Sequence, residues 1–108
     1  QRCAPLVSSW KKQQFVPENL PSLAEGTMVS NPARGKEILR ELILTYDELV
    51  AVAEDEIEPA TTELARMGIY VEPTSAMVYA ALKARPITTD GINILVFSGN
   101  GLKYRVNH

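Results

Sequence analysis

Two short stretches near the end of the chain carry the residue types that do chemistry: Val71-Glu72-Pro73-Thr74-Ser75-Ala76 and Phe97-Ser98-Gly99-Asn100-Gly101-Leu102-Lys103. Ser98 follows an apolar run that reads as a strand, and ligands of open α/β sheets gather at the carboxyl ends of their strands. Glu72 precedes Pro73, so its carboxylate suits an N-cap as well as a ligand contact. Gly26, in Ala24-Glu25-Gly26, suits an ordinary turn. Asn100 and Gly101 shape the loop after Ser98. Glu54, Asp55, Glu56 and Glu58 form an acidic cluster of the kind that holds magnesium or accepts a phosphoryl group, but helix capping explains it better. Arg34, Lys36 and Arg40 read as solvated side chains with no site attached.

The remaining composition excludes several function classes. The chain has 108 residues, room for one domain and no second core. With 45% hydrophobic and 22% charged residues it reads as a soluble globular chain spanning no membrane. A net charge of −2 with interspersed signs leaves no basic footprint for nucleic acid. Cys3 is the only cysteine, which excludes an internal disulfide and a cysteine-based zinc site and fits a cytoplasmic setting. His108 is the only histidine, so no nucleophile–histidine constellation is expected. The opening Gln1-Arg2-Cys3 carries no signal-peptide pattern and reads as internal to a longer polypeptide.

The elements that must position these residues alternate between helical and extended patterns. That alternation predicts an α/β fold over residues 1–108, a partial three-layer sandwich with a mainly parallel sheet. Pro5 to Gln14 reads as a short amphipathic helix, and Pro17 and Pro21 bracket a loop. Asn31 and Pro32 read as N-cap and first position of a helix that buries Ile38, Leu39, Leu42 and Ile43. Leu49 to Ala53 reads as a strand. Asp55 and Glu58 suggest a capping box opening a second helix that Gly68 closes. A third helix is expected from Pro73 until Pro86 forbids it, and Asp90-Gly91 marks a turn. Ile92 to Phe97, apolar except at Asn93, has the pattern of a strand covered on both faces.

In order along the chain, Ala24-Glu25-Gly26, Asn31-Pro32-Ala33-Arg34-Gly35, Glu72-Pro73-Thr74-Ser75-Ala76 and Ser98-Gly99-Asn100-Gly101 resemble the C-terminal part of threonine synthases. These are fold-type II pyridoxal-phosphate enzymes of the tryptophan synthase beta-like superfamily. The resemblance implies that the chain is the C-terminal portion of a cofactor domain. It implies pyridoxal phosphate as cofactor, with Ser98 at the ring nitrogen, Glu72 as a secondary polar neighbour, Gly26 against one ring face, and Gly99 and Asn100 in the loop below. The implied parent enzyme is a carbon–oxygen lyase that converts O-phospho-L-homoserine and water to L-threonine and phosphate. Threonine dehydratase and cysteate synthase share the late motifs and stand as alternatives, as does a non-catalytic α/β binding module.

The family also needs a Schiff-base lysine and a glycine-rich phosphate loop. Lys11, Lys12, Lys36, Lys83 and Lys103 lie in segments unlike the family's lysine site, and the six glycines do not cluster. The chain alone is therefore expected to be inactive and to bind the cofactor weakly or not at all. The expected partners are the remainder of a parent polypeptide, the parent's small-molecule substrate, and a second copy of the chain through exposed sheet surface.

Overall fold

The computed structural model describes residues 6, 7, 9, 21–45, 48–85 and 90–103. The elements whose bounds fall within the described residues are three α-helices, α1 (Gly35–Thr45), α2 (Glu54–Arg66) and α3 (Pro73–Ala84), with 3-10 turns at Glu25–Thr27 and Gly101–Lys103. Among the described residues β-type pairing is limited to one isolated antiparallel bridge between Val71 and Asn100. The expected α/β sandwich with a parallel sheet is thus overturned: the described chain is helical.

Both expected strands fail for the same reason. A strand is stable only when neighbours take up its amides and carbonyls, and periodicity cannot supply the neighbour. Residues 49–53 instead form an irregular approach to α2, with Val52 buried. Residues 92–98 have no assigned secondary structure, and Ile92, Ile94 and Val96 are 93%, 81% and 70% exposed. This is the opposite of a strand covered on both faces.

The second helix begins at Glu54, and its opening is half of a capping box. The Ala53 amide donates to Glu56 Oε2 (3.0 Å), while the Glu56 amide returns to the Ala53 carbonyl (3.1 Å), because alanine has no side-chain acceptor. The expected Asp55–Glu58 pair is displaced by two residues. Glu54 accepts the amide of Leu23 through Oε1, which ties the N-terminal loop to the start of α2. Pro59 sits inside this helix. Its missing amide deprives the Asp55 carbonyl of an intrahelical partner.

The end of α2 follows expectation. Gly68 has φ of +81°, the Ile69 amide donates to the Leu64 carbonyl (2.9 Å), and the Gly68 amide donates to the Ala65 carbonyl (3.0 Å). These are the two bonds of a Schellman termination, which needs a left-handed residue. The third helix also matches: Pro73 stands at its first position, Glu72 at the N-cap in extended conformation, and the helix stops before Arg85. The first helix starts at Gly35, not at Pro32. Asn31 to Arg34 instead lead into it, with the Gly35 amide on the Pro32 carbonyl. On its expected inner face Leu39 is buried, but Ile38 and Ile43 are exposed. Leu6, Val7 and Ser9 are helical, in line with the expected first helix; its remainder, the loop around Pro17, and Cys3, Pro86 and His108 lie outside the described residues.

The core is built by α2 packing on α3. Ile57, Ala60, Thr61 and Leu64 recur at helical spacing on the inner face of α2, and Ala76 and Ala80 on that of α3. One cluster joins Ala24, Val52, Ile57, Ala60 and Ala80, and a second joins Leu64, Val71 and Ala76, with Phe97 packed on it and Tyr79 touching both. Alanines let the helices approach closely but bury little area, so Ile57 and Leu64 carry most of the apolar stabilisation, about 1.5–3 kcal/mol each. Among the described residues no helix is long and apolar enough to cross a membrane.

Glu63 on α2 ties the helices together. Its Oε1 accepts the Tyr79 hydroxyl (2.8 Å), its Oε2 pairs with Lys83, and the Lys83 ammonium lies 5.7 Å from the Tyr79 ring centroid. The Lys83 hydrogen bond, then that of Tyr79, holds the Glu63 carboxyl below the usual glutamate range, while Glu63 raises both Tyr79 and Lys83. The sign follows from linkage: a carboxyl lowered in the folded state stabilises fully above its unfolded value, and this is lost as pH falls through the folded value. The raised Lys83 and Tyr79 contribute at neutral pH and lose that contribution as pH rises through their folded values. In urea titrations, Glu63→Gln is expected to be less stable than the native chain at neutral pH, with the difference closing at both acid and alkaline ends. Gly68→Ala is expected to cost about 1 kcal/mol in the same assay, because alanine resists the left-handed backbone.

Candidate functional site

The candidate residues meet at the first turn of α3. Pro73 fixes the helix start, which sets Thr74 and the 2%-exposed Ser75 in the first turn. The Ser75 hydroxyl accepts the Gly99 amide (2.8 Å), and the Thr74 hydroxyl accepts the Gly26 amide (3.2 Å). The Glu72 amide donates to the Gly99 carbonyl (3.2 Å) and the Gly101 amide to the Tyr70 carbonyl (3.2 Å), the two bonds that flank the Val71–Asn100 bridge. Asn100 closes its own turn, its Oδ1 accepting the Leu102 amide at 2.8 Å. Four of the five sequence-derived residues, Gly26, Glu72, Gly99 and Asn100, are thereby gathered on one helix terminus. Ser98 adjoins them in the chain and is exposed.

At two of these places a side chain stands where a Cβ would go. A Cβ at Gly99 would land on the Glu72 carboxylate, and one at Gly101 would lie 3.0 Å from the Tyr70 ring. The Glu72 carboxylate itself makes no capping hydrogen bond, so its N-cap position is filled by backbone geometry alone. The acidic residues at the start of α2 divide between capping by Glu56 and the Leu23 contact of Glu54, and no group of residues suited to a metal ion occurs among the described residues. Arg34 pairs with Glu37 at 3.0 Å.

The family of pyridoxal-phosphate dependent enzymes matches residues 1–99, nearly the whole chain. The chain belongs to that family. No curated protein matches the sequence.

The resemblance places the cofactor's ring at these residues and no phosphate loop in this chain; the absence of a sheet among the described residues is what overturns the ring pocket. A phosphate is held by clustered backbone amides that point at it. Five of the six glycine amides already donate within the chain: Gly26 to Thr74, Gly35 to Pro32, Gly68 to Ala65, Gly99 to Ser75 and Gly101 to Tyr70. Of the lysines with described side chains, Lys83 is paired with Glu63 and Lys36 lies exposed on α1. The sheet whose strand ends would seat the ring is absent among the described residues. The described residues do not fit pyridoxal phosphate. The same findings overturn the threonine-synthase identity and the reading of the chain as a piece of a fold-type II lyase, since both rest on that sheet. They leave the broader family as what the sequence supports.

Sequence reasoning did not single out Ser75 or Thr74, although both lie in the quoted motif. The available signal was Pro73, which places the two following hydroxyls in a first helical turn, near loops that must close on it. The Glu63–Tyr79–Lys83 cluster had no such signal beyond the four-residue spacing of Tyr79 and Lys83. Two open hollows, of about 330 Å³ beside Pro59, Ala60, Ala80 and Lys83 and about 310 Å³ around Asn31 to Glu37, include none of the candidate residues.

Ser75→Ala leaves the half-buried Gly99 amide without its acceptor. It is expected to cost about 1–3 kcal/mol in chemical denaturation, and Ser75→Thr, which keeps a hydroxyl, is expected to recover part of the loss.

Proposed function

We propose that this chain is a non-catalytic support segment of the pyridoxal-phosphate dependent enzyme family, whose work is to hold residues 92–98 out as a docking edge. One observation carries the reading. From Ile94 to Ser98 exposure alternates, with Ile94, Val96 and Ser98 exposed and Leu95 and Phe97 half-buried, while Ile92 and Asn93 before them are both exposed. Alternating exposure is the mark of an extended backbone with one face anchored. The anchor is Phe97 on Leu64, Val71 and Ala76, backed by the Gly99–Ser75 bond.

Gly26, Gly99 and Asn100 act in this reading as parts of the clasp that fixes the edge. Glu72 and Ser98 are the members of the set whose side chains make no hydrogen bond among the described residues. We assign them to contacts with a small polar ligand held jointly with the remainder of the parent polypeptide. The single cysteine supports a reducing, cytoplasmic setting.

Limited proteolysis of the dilute chain with a protease that cuts after large apolar residues tests the reading. The first cut is expected within residues 92–98, leaving α2 and α3 in one fragment by mass, and Gly99→Val is expected to speed it several-fold by forcing the Glu72 side chain aside. First cleavage inside α2 or α3, with 92–98 resistant, would contradict the reading.

A further inference from the structure

The loop that closes on α3 carries a chemistry of its own, between two neighbouring residues. Of the asparagines at positions 19, 31, 93, 100 and 107, Asn100 alone is followed by glycine. A glycine in that place lets its backbone nitrogen approach the preceding carboxamide, because it has no Cβ in the way and few conformational restrictions. The Asn100 side chain is exposed to water, whereas Gly101 is buried. Two hydrogen bonds hold the pair apart. The Gly101 amide donates to the Tyr70 carbonyl (3.2 Å), and Asn100 Oδ1 accepts the Leu102 amide (2.8 Å), which keeps the carboxamide turned to the amide two residues on.

We propose that Asn100-Gly101 is a deamidation site gated by the clasp, and that its isoaspartyl product unfastens the clasp. The Gly101 nitrogen attacks Asn100 Cγ. The new N–Cγ bond forms as the Cγ–Nδ2 bond breaks, and Nδ2 leaves as ammonia with the proton that Gly101 gives up. Water then opens the resulting succinimide at either carbonyl, leaving aspartate or isoaspartate at position 100, so one water is consumed for each ammonia released. The attack requires the Gly101–Tyr70 bond to break and the carboxamide to leave Leu102, so in the folded chain the rate follows how often the clasp opens locally. Isoaspartate runs the chain through Cγ and lengthens it between Gly99 and Gly101. The Gly99 carbonyl on the Glu72 amide and the Gly101 amide on the Tyr70 carbonyl flank that residue, so the register that serves both is lost. Either product also sets a new carboxylate opposite Val71, one residue from Glu72, where like charges repel. This inference rests on the hydrogen bonds of the clasp and holds whatever docks on residues 92–98.

Peptide mass spectrometry of the intact chain, aged in mildly alkaline buffer with and without denaturing urea, tests the proposal, with electron-based fragmentation to separate isoaspartate from aspartate. In urea Asn100 is expected to convert faster than Asn19 or Asn93. In the folded chain its rate is expected to fall by about tenfold or more. Ser75→Ala, which removes the acceptor of the adjoining Gly99 amide, is expected to raise the folded rate several-fold and to leave the rate in urea unchanged. If circular dichroism shows that Ser75→Ala has lost its helices, Ser75→Thr makes the same comparison with a smaller rise expected. In hydrogen exchange, the aged isoaspartyl fraction is expected to lose protection at Gly99 and Gly101, and Asn100→Asp, which adds the charge without lengthening the chain, is expected to keep more of it. Equal rates in the folded chain and in urea, no preference for Asn100 in urea, or native protection at Gly99 and Gly101 in the isoaspartyl fraction would each overturn the proposal.

Discussion

The hydroxyl of Ser75 governs what this chain presents to its surroundings. It is buried, it stands in the first turn of a helix whose start is set by Pro73, and it accepts the amide of Gly99 from a segment 24 residues further on. A buried hydrogen bond of this kind gains only about 0.5–1.5 kcal/mol net, but leaving its donor unmet costs more. That asymmetry makes the bond a constraint on where the C-terminal segment can lie. Once Gly99 is fixed, its carbonyl meets the Glu72 amide and Gly101 reaches the Tyr70 carbonyl. Phe97 is brought onto Leu64 and Val71, and the residues before it are left outside the core.

At position 99 the Glu72 side chain occupies the space where a Cβ would be, so a larger residue there would push that side chain aside. The motif that suggests a ligand loop is therefore also a packing motif, in which a loop closes on a helix terminus. The amides of Gly26, Gly99 and Gly101 are already engaged in that closure. Belonging to an enzyme family and carrying that family's chemistry are separable properties, because chemistry depends on where free donors and acceptors point.

Much of the helical order was legible in the sequence because helix signals are local. Pro73 at a first position and Gly68 in a left-handed cap can be read without knowing the rest of the fold. The opening of α2 was read two residues off because the box uses only the Glu56 half and has alanine where a hydroxyl or carboxylate was sought. The strands were misread for a non-local reason. The run from Ile92 to Phe97 carries the preference for extended structure, but whether it joins a sheet depends on a neighbour that periodicity cannot reveal. The site was legible as a set of residues and illegible as a function. Gly26, Glu72, Gly99 and Asn100 do converge on one helix terminus, yet the bonds that gather them run through Thr74, Ser75 and Tyr70, which the motif alone did not rank.

Amide hydrogen exchange, read residue by residue at a concentration where the chain is monomeric, addresses the central claim most directly. The amides of Gly99, Gly101 and Glu72 should exchange slowly and together, while those of residues 93 to 97 should exchange at nearly the unfolded rate. Uniform protection across 92–98, as in a ladder with a neighbouring strand, would contradict the account and restore the sheet.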